Sequence, residues 1–172
     1  MFATDNSGLI ETYPLSDNYF NVERFKTYME EILMGLINQP AQTNDKEVTE
    51  QATDLLFKEP GSNFGGDLVA RNIQRGRDHG LPGFCCYYQM YDDPSHDCNQ
   101  GWDRRYHRIS PENWELLKTL YNKPSDIDLF TGGLAQDPDT NIGGLTGKVF
   151  QAMKGKIETL KIELILSENV FL

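Results

Sequence analysis

At 172 residues the chain is long enough for one domain that buries roughly two-thirds of its unfolded surface. A formal net charge of -10 repels polyanions, which excludes nucleic acid and anionic membrane as general partners and makes any anion site a local one. Hydrophobic residues make up 38%, and no apolar run approaches the roughly 20 residues that a membrane helix needs.

The opening Met1–Ile10 has neither a basic start nor an apolar stretch, so no secretory signal is expected in it. Residues 1–20 read as an irregular lead with turn formers at Pro14 and Ser16-Asp17-Asn18. Phe25, Met29, Ile32, Leu33 and Leu36 then fall at helical spacing, which predicts a helix over Val22–Asn38 capped by Asn21 and ended by Pro40. Val48, Ala52, Leu55 and Leu56 predict a second helix over Lys46–Phe57, with Asn44 or Asp45 as its cap.

A third helix is expected over Asp67–Asp78, with the Asp67 carboxylate at its positive end. Gly80-Leu81-Pro82 breaks it, and a helix of about Gly83–Tyr91 follows. Residues 92–108 are polar and read as a loop. Ser110-Pro111 forms a cap and first-turn pair for a helix through Tyr121, with Trp114, Leu117 and Leu120 inward. Ser125–Phe130 predicts a short helical turn that stops at Gly132-Gly133. The last helix spans about Leu145–Leu166, and its stripe of Leu145, Val149, Met153, Ile157, Leu160 and Leu164 is expected to pack at home more than on a partner. Little alternates with period two, so the fold class is mainly α.

Three cysteines show no metal-type spacing, and Cys98 is expected to bond Cys85 or Cys86 in an oxidising compartment. His96-Asp97-Cys98 contains metal-ligand types, but in a polar loop it reads as a solvated trio. The run Asn72-Ile73-Gln74-Arg75-Gly76-Arg77-Asp78-His79-Gly80-Leu81-Pro82-Gly83 concentrates the chemistry-bearing groups. Its arginines could form surface ion pairs. Alternatively, an arginine could clamp a cofactor carboxylate while the neighbouring Asn72 amide orients an imidazole. Asn72 and Arg75 share one helix face, as do Arg71 and Arg75.

That ungapped run closely resembles a signature of the animal haem peroxidases. Leu116-Leu117-Lys118-Thr119-Leu120-Tyr121 and Ile127-Asp128-Leu129-Phe130-Thr131-Gly132-Gly133-Leu134 are similar to segments that follow it in that family. The resemblance spans about residues 15–147 and leaves 148–172 as a divergent C-terminal helix within one partial peroxidase domain. It implies the C-terminal part of the family's helical fold and a haem b cofactor. The activity implied is hydrogen-peroxide-dependent oxidation of a halide, phenol or tyrosine. It implies that Asn72 hydrogen-bonds the iron-bound proximal histidine and that Arg75 meets a haem propionate. Arg77, Asp78 and His79 belong to a structural charge network in this reading.

The family's distal histidine and arginine, its proximal histidine and its calcium site fall outside the resemblance. No catalytic residue and no metal ligand is therefore expected here, and His79, His96 and His107 do not sit in the proximal context. Tyr88 and Tyr91 stand where the family has an arginine and a cysteine, which implies an altered disulfide framework. The resemblance implies an extracellular location, reliance on the N-terminal part of a peroxidase domain as partner, and no peroxidase turnover by the 172 residues alone. A non-catalytic, peroxidase-derived interaction module is the alternative expectation.

Overall fold

The computed structural model describes residues 2–4, 10–40, 46–103, 105–106, 108–138 and 145–168, with 2–4, 10–12 and 159–168 described as backbone. They fall into two compact units that part within one helix, residues 1–43 and 47–72 forming the first, and 44–46 and 73–172 the second.

In the first unit the lead is not irregular throughout. Phe2–Thr4 (β1) pairs antiparallel with Ile10–Thr12 (β2), Ala3 opposite Glu11. Three-residue strands carry too little period-two pattern to be read from sequence. A 3-10 turn at Leu15–Asp17 follows, where the turn formers lie. The expected Val22–Asn38 helix is two helices, Val22–Thr27 (α1) and Met29–Asn38 (α2), parted where Tyr28 takes φ -119° and ψ 32°. The bonds Tyr28 N–H to Arg24 C=O and Ile32 N–H to Tyr28 C=O carry the ladder across the break. Asn21 caps α1 as expected, accepting from the Arg24 N–H.

The helix expected over Lys46–Phe57 shrinks to Glu50–Thr53 (α3), capped by Thr49, while the expected caps Asn44 and Asp45 lie outside the described residues. Tertiary bonds claim the rest of that stretch. Leu56 makes a bridge with Gly66, and Phe57 has a positive φ of 52°. Of the stripe expected on the first helix only Ile32 is buried; Met29, Leu33 and Leu36 are exposed.

The second unit is built on aromatics. Its elements are Phe84–Tyr91 (α5), Pro111–Leu120 (α6), Leu129–Ala135 (α7) and Lys148–Glu168 (α8), preceded by Leu68–Asp78 (α4), which bridges the two units. The Ser110 hydroxyl accepts from the Asn113 N–H at 3.1 Å and Pro111 opens the first turn, so α6 starts where expected. Trp114 and Leu117 face the core, but Leu120 is 70% exposed. Each three-residue step falls 60° short of a full turn, so a third such position rotates off the face.

Gly132-Gly133 does not break the chain. Both glycines are buried inside α7, because a Cβ at Gly132 would strike Phe84 and one at Gly133 would strike Phe150. Gln136 was not singled out by its sequence context. It is buried, its Nε2 donates to Asp92 at 2.8 Å, and its Oε1 accepts the Val149 N–H at 3.1 Å, satisfying an orphan donor at the start of α8. On α8, which starts at Lys148 and so leaves out Leu145, Val149 is buried and Phe150 and Met153 pack against the core, whereas Ile157 is exposed, as is Leu145. Home packing thus holds for the first turns only, and the Leu160 and Leu164 side chains lie outside the described residues.

Candidate functional site

The motif residues lie on α4 and the turn that ends it. The Asp67 carboxylate accepts from the Ala70 N–H at 3.0 Å, capping the helix at the expected residue. At the other end Gly80 takes φ 64°, its N–H bonding Arg77 C=O and the Leu81 N–H bonding Gly76 C=O, both at 3.0 Å. This crossed pair is the Schellman ending, whose left-handed residue favours glycine. Gly83 then lets the backbone approach residues 125–127, since a Cβ there would lie 2.7 Å from the Ser125 carbonyl oxygen. Phe84 N–H donates to Ile127 C=O at 2.8 Å.

Four of the motif's six polar side chains have structural partners. Arg77 grips Asp128 with two N–H bonds, 2.9 and 2.7 Å. Gln74 donates to Asp78 at 2.8 Å, and the His79 Nδ1 lies 2.8 Å from the Arg75 carbonyl oxygen. Asn72 and Arg75 alone have no side-chain partner among the described residues; Asn72 is half-buried and Arg75 exposed. Two residues around an α-helix turn the direction by about 200°, so Arg77 can reach α7 while Arg75 points elsewhere. The run therefore holds a structural ion pair at Arg77, while the Asn72 and Arg75 side chains have no partner among the described residues.

Arg77 and Asp128 belong to a network with the Tyr121 hydroxyl, which is 2.9 Å from Asp128 and 3.0 Å from the Thr131 hydroxyl. The Arg77 hydrogen bond, helped by the one from Tyr121, holds the Asp128 carboxyl below the usual carboxylate range. Burial pushes the Tyr121 phenol up. A carboxyl whose pKa is depressed in the folded state contributes stability that is present above its unfolded value, about 3.9, and is lost as pH falls through the folded one. Unfolding free energy measured against pH is therefore expected to fall off below about pH 4, and Asp128→Asn removes that part of the slope. An unchanged slope in the variant contradicts the pairing.

The stretch after α5 is a loop, as expected, and most of its described residues are exposed, but His96 and Tyr106 are buried. His96 is only 3% exposed, its ring 5.1 Å from that of Tyr88 and 4.5 Å from that of Tyr106, and Cys98 is bonded to Cys85. The reading of His96-Asp97-Cys98 as a solvated trio is thereby corrected for two of its members: His96 packs against two aromatic rings and Cys98 is held in a disulfide, while Asp97 is exposed. His107 lies outside the described residues. Among the described residues no group of three or more His, Cys, Asp or Glu could hold a metal ion.

The family model for animal haem peroxidase matches residues 1–157. The chain belongs to the animal haem peroxidase family. This animal haem peroxidase chain is 30% identical over 158 residues to heme peroxidase 2 of Caenorhabditis elegans, covering 89% of this chain and 21% of that protein. It is 31% identical over 149 residues to human eosinophil peroxidase, covering 80% and 20%. The solved structure of peroxidase A from Dictyostelium discoideum superposes with a TM-score of 0.70 at 29% identity, covering 87% of this chain and 28% of that one. The mainly α fold is thus the helical fold of the family. The chain spans about a fifth of the length of these two curated relatives. The family implies haem iron. Among the described residues the Arg75 guanidinium and the Asn72 amide on α4 have no side-chain partner, and their chemistry suits a haem carboxylate and an iron-binding imidazole respectively.

Proposed function

We propose that the chain supplies the proximal-side helix of a haem peroxidase domain, with Arg75 anchoring a haem propionate and Asn72 orienting the imidazole that ligates the iron. One observation carries this reading: within the signature run, Asn72 and Arg75 are the polar side chains left without a partner among the described residues. Arg75 would hold the propionate through two parallel N–H bonds, which fixes the plane of the group. The Asn72 amide oxygen would accept the imidazole N–H, setting the tautomer and raising the basicity of the ring. When bound, haem supplies the oxidation of a halide, phenol or tyrosine donor at the expense of hydrogen peroxide.

His79 is bonded to a backbone carbonyl and His96 is enclosed by tyrosines, and we assign the imidazole to the N-terminal part of a peroxidase domain, as the family resemblance implies. The exposed apolar residues of α2, among them Leu33, Leu36 and Ile37, suit a surface covered by the remainder of that domain. The Cys85–Cys98 disulfide supports an extracellular location.

Titration of the chain with hemin, followed by the Soret band, tests the assignment. Arg75→Ala is expected to weaken binding at least about tenfold, since both charge-assisted hydrogen bonds of the guanidinium are lost. With free imidazole standing in for the axial ligand, Asn72→Ala is expected to weaken imidazole uptake by the hemin complex. Equal titrations for the native chain and both variants overturn the proposal.

A further inference from the structure

An aromatic series runs through the core of the second unit. Tyr88 and Tyr106 have ring centroids 4.9 Å apart, Tyr106 and Trp114 5.2 Å, and Trp114 and Trp102 4.9 Å. It starts on α5, the helix that follows the signature run, and climbs from fully buried Tyr106 to half-buried Trp102. Among the described residues the Tyr106 hydroxyl donates to a neutral backbone carbonyl, Pro124 C=O, at 3.4 Å, and its burial raises the phenol pKa. A tyrosine there cannot shed its proton readily, so it is a bridge for an electron and not a resting place for an oxidising equivalent. An indole can be oxidised while keeping its proton. Both tryptophans keep their N–H on backbone carbonyls, Trp114 on Trp102 C=O at 3.1 Å and Trp102 on Asn122 C=O at 3.2 Å.

The outer end of the series opens on a surface groove of roughly 380 Å³ lined by Trp102, Asp103, Arg105, Trp114, Glu115 and Lys118. A volume of that order takes a small molecule. The Trp102 face offers stacking, and the Arg105 guanidinium, with no ion pair among the described residues, offers a donor to a phenol oxygen.

We propose that Trp114 and Trp102 form a relay through which a small phenol in this groove is oxidised by one electron away from the oxidising centre. The proposal rests on the haem peroxidase reading, which supplies the oxidant as peroxide-activated haem. Trp102 gives one electron through Trp114 to that oxidant and becomes a radical cation. The phenol returns one electron to Trp102 and releases its hydroxyl proton to water, leaving a phenoxyl radical.

The test needs no haem, so its failure and that of the haem assignment are separate results. Cys86 is exposed on α5 and is the free thiol of the three cysteines. A thiol-reactive ruthenium polypyridyl attached there, flashed with hexaammineruthenium(III) as quencher, injects the oxidising equivalent beside Tyr87 and Tyr88. The chain holds two tryptophans, so a tryptophanyl absorption belongs to this pair. The expected result is a tryptophanyl radical that 4-methylphenol reduces with the appearance of phenoxyl. Trp102→Phe, at a half-buried site, should leave the radical on Trp114 and slow its reaction with the phenol at least about tenfold, or ~1.4 kcal/mol on the barrier. Trp114→Phe should lower the tryptophanyl yield, with circular dichroism checking its fold. Equal phenol rates in native and Trp102→Phe chains, or no tryptophanyl radical in the native one, overturn the relay.

Discussion

Gly132→Val is expected to destabilise the second unit by about 3 kcal/mol, the upper part of the range for overpacking a filled core. An added Cβ would lie 2.7 Å from the Phe84 Cδ1, 2.6 Å from its Cβ and closer still to its Cγ. Phe84 cannot give way, because it is fully buried and its N–H is fastened to Ile127 C=O at 2.8 Å. Helix propensity points the other way, since a glycine inside a helix costs roughly 0.5–1 kcal/mol relative to alanine. Gly155 isolates that opposing effect: it lies in α8, and nothing stands within 4 Å of a Cβ there. Gly155→Ala should therefore stabilise by about 0.5–1 kcal/mol. Urea unfolding followed by tryptophan fluorescence reads both, as Trp102 and Trp114 are in this unit. Two substitutions that shift the midpoint in the same direction would refute the packing account of Gly132.

Removing the Cys85–Cys98 bond, by Cys98→Ala or by reduction, is expected to cost about 3 kcal/mol on the chain-entropy model for a loop of this length. The cysteines are 13 residues apart, with Cα atoms 5.7 Å apart, and the bond ties α5 to the loop that delivers His96, Trp102 and Tyr106 to the core. The choice between the adjacent cysteines follows from the helix: Cys85 lies on the face of Tyr88 and is buried, while Cys86 points out. Peptide mapping of the oxidised chain should find Cys85 joined to Cys98 and one reactive thiol at Cys86. A Cys86–Cys98 peptide would contradict the structure. Loss of the bond without change in the urea midpoint would contradict its role as a staple.

Helix ends carried by side-chain chemistry were legible in the sequence. Asn21 and Ser110-Pro111 cap where expected, and Asp67, expected only as a charge at the positive end of its helix, caps it as well, because a cap is a local bond between residues three apart. The faces of the helices were less legible. Leu33, Leu36, Leu120 and Ile157 fit an apolar stripe yet stand exposed, since periodicity identifies a face without saying what covers it. The loop was read as one, but the burial of His96 and Tyr106 within it was not, because they are scattered among charges and only packing against Tyr88 and Trp114 buries them.

At the signature run the two sources of information divide cleanly. Sequence by itself determined the family, the helix with its glycine ending, and the sharing of one face by Asn72 and Arg75, because each is a matter of residue order over one or two turns. Tertiary structure alone decided which charges are structural. Arg77 finds Asp128 across 51 positions of chain, and that pairing also recruits Tyr121 and Thr131. Nothing in local spacing distinguishes Arg77 from Arg75. The difference is where a distant carboxylate lies, and that is set by the packing of α7, with Gly132 against Phe84 and Gly133 against Phe150.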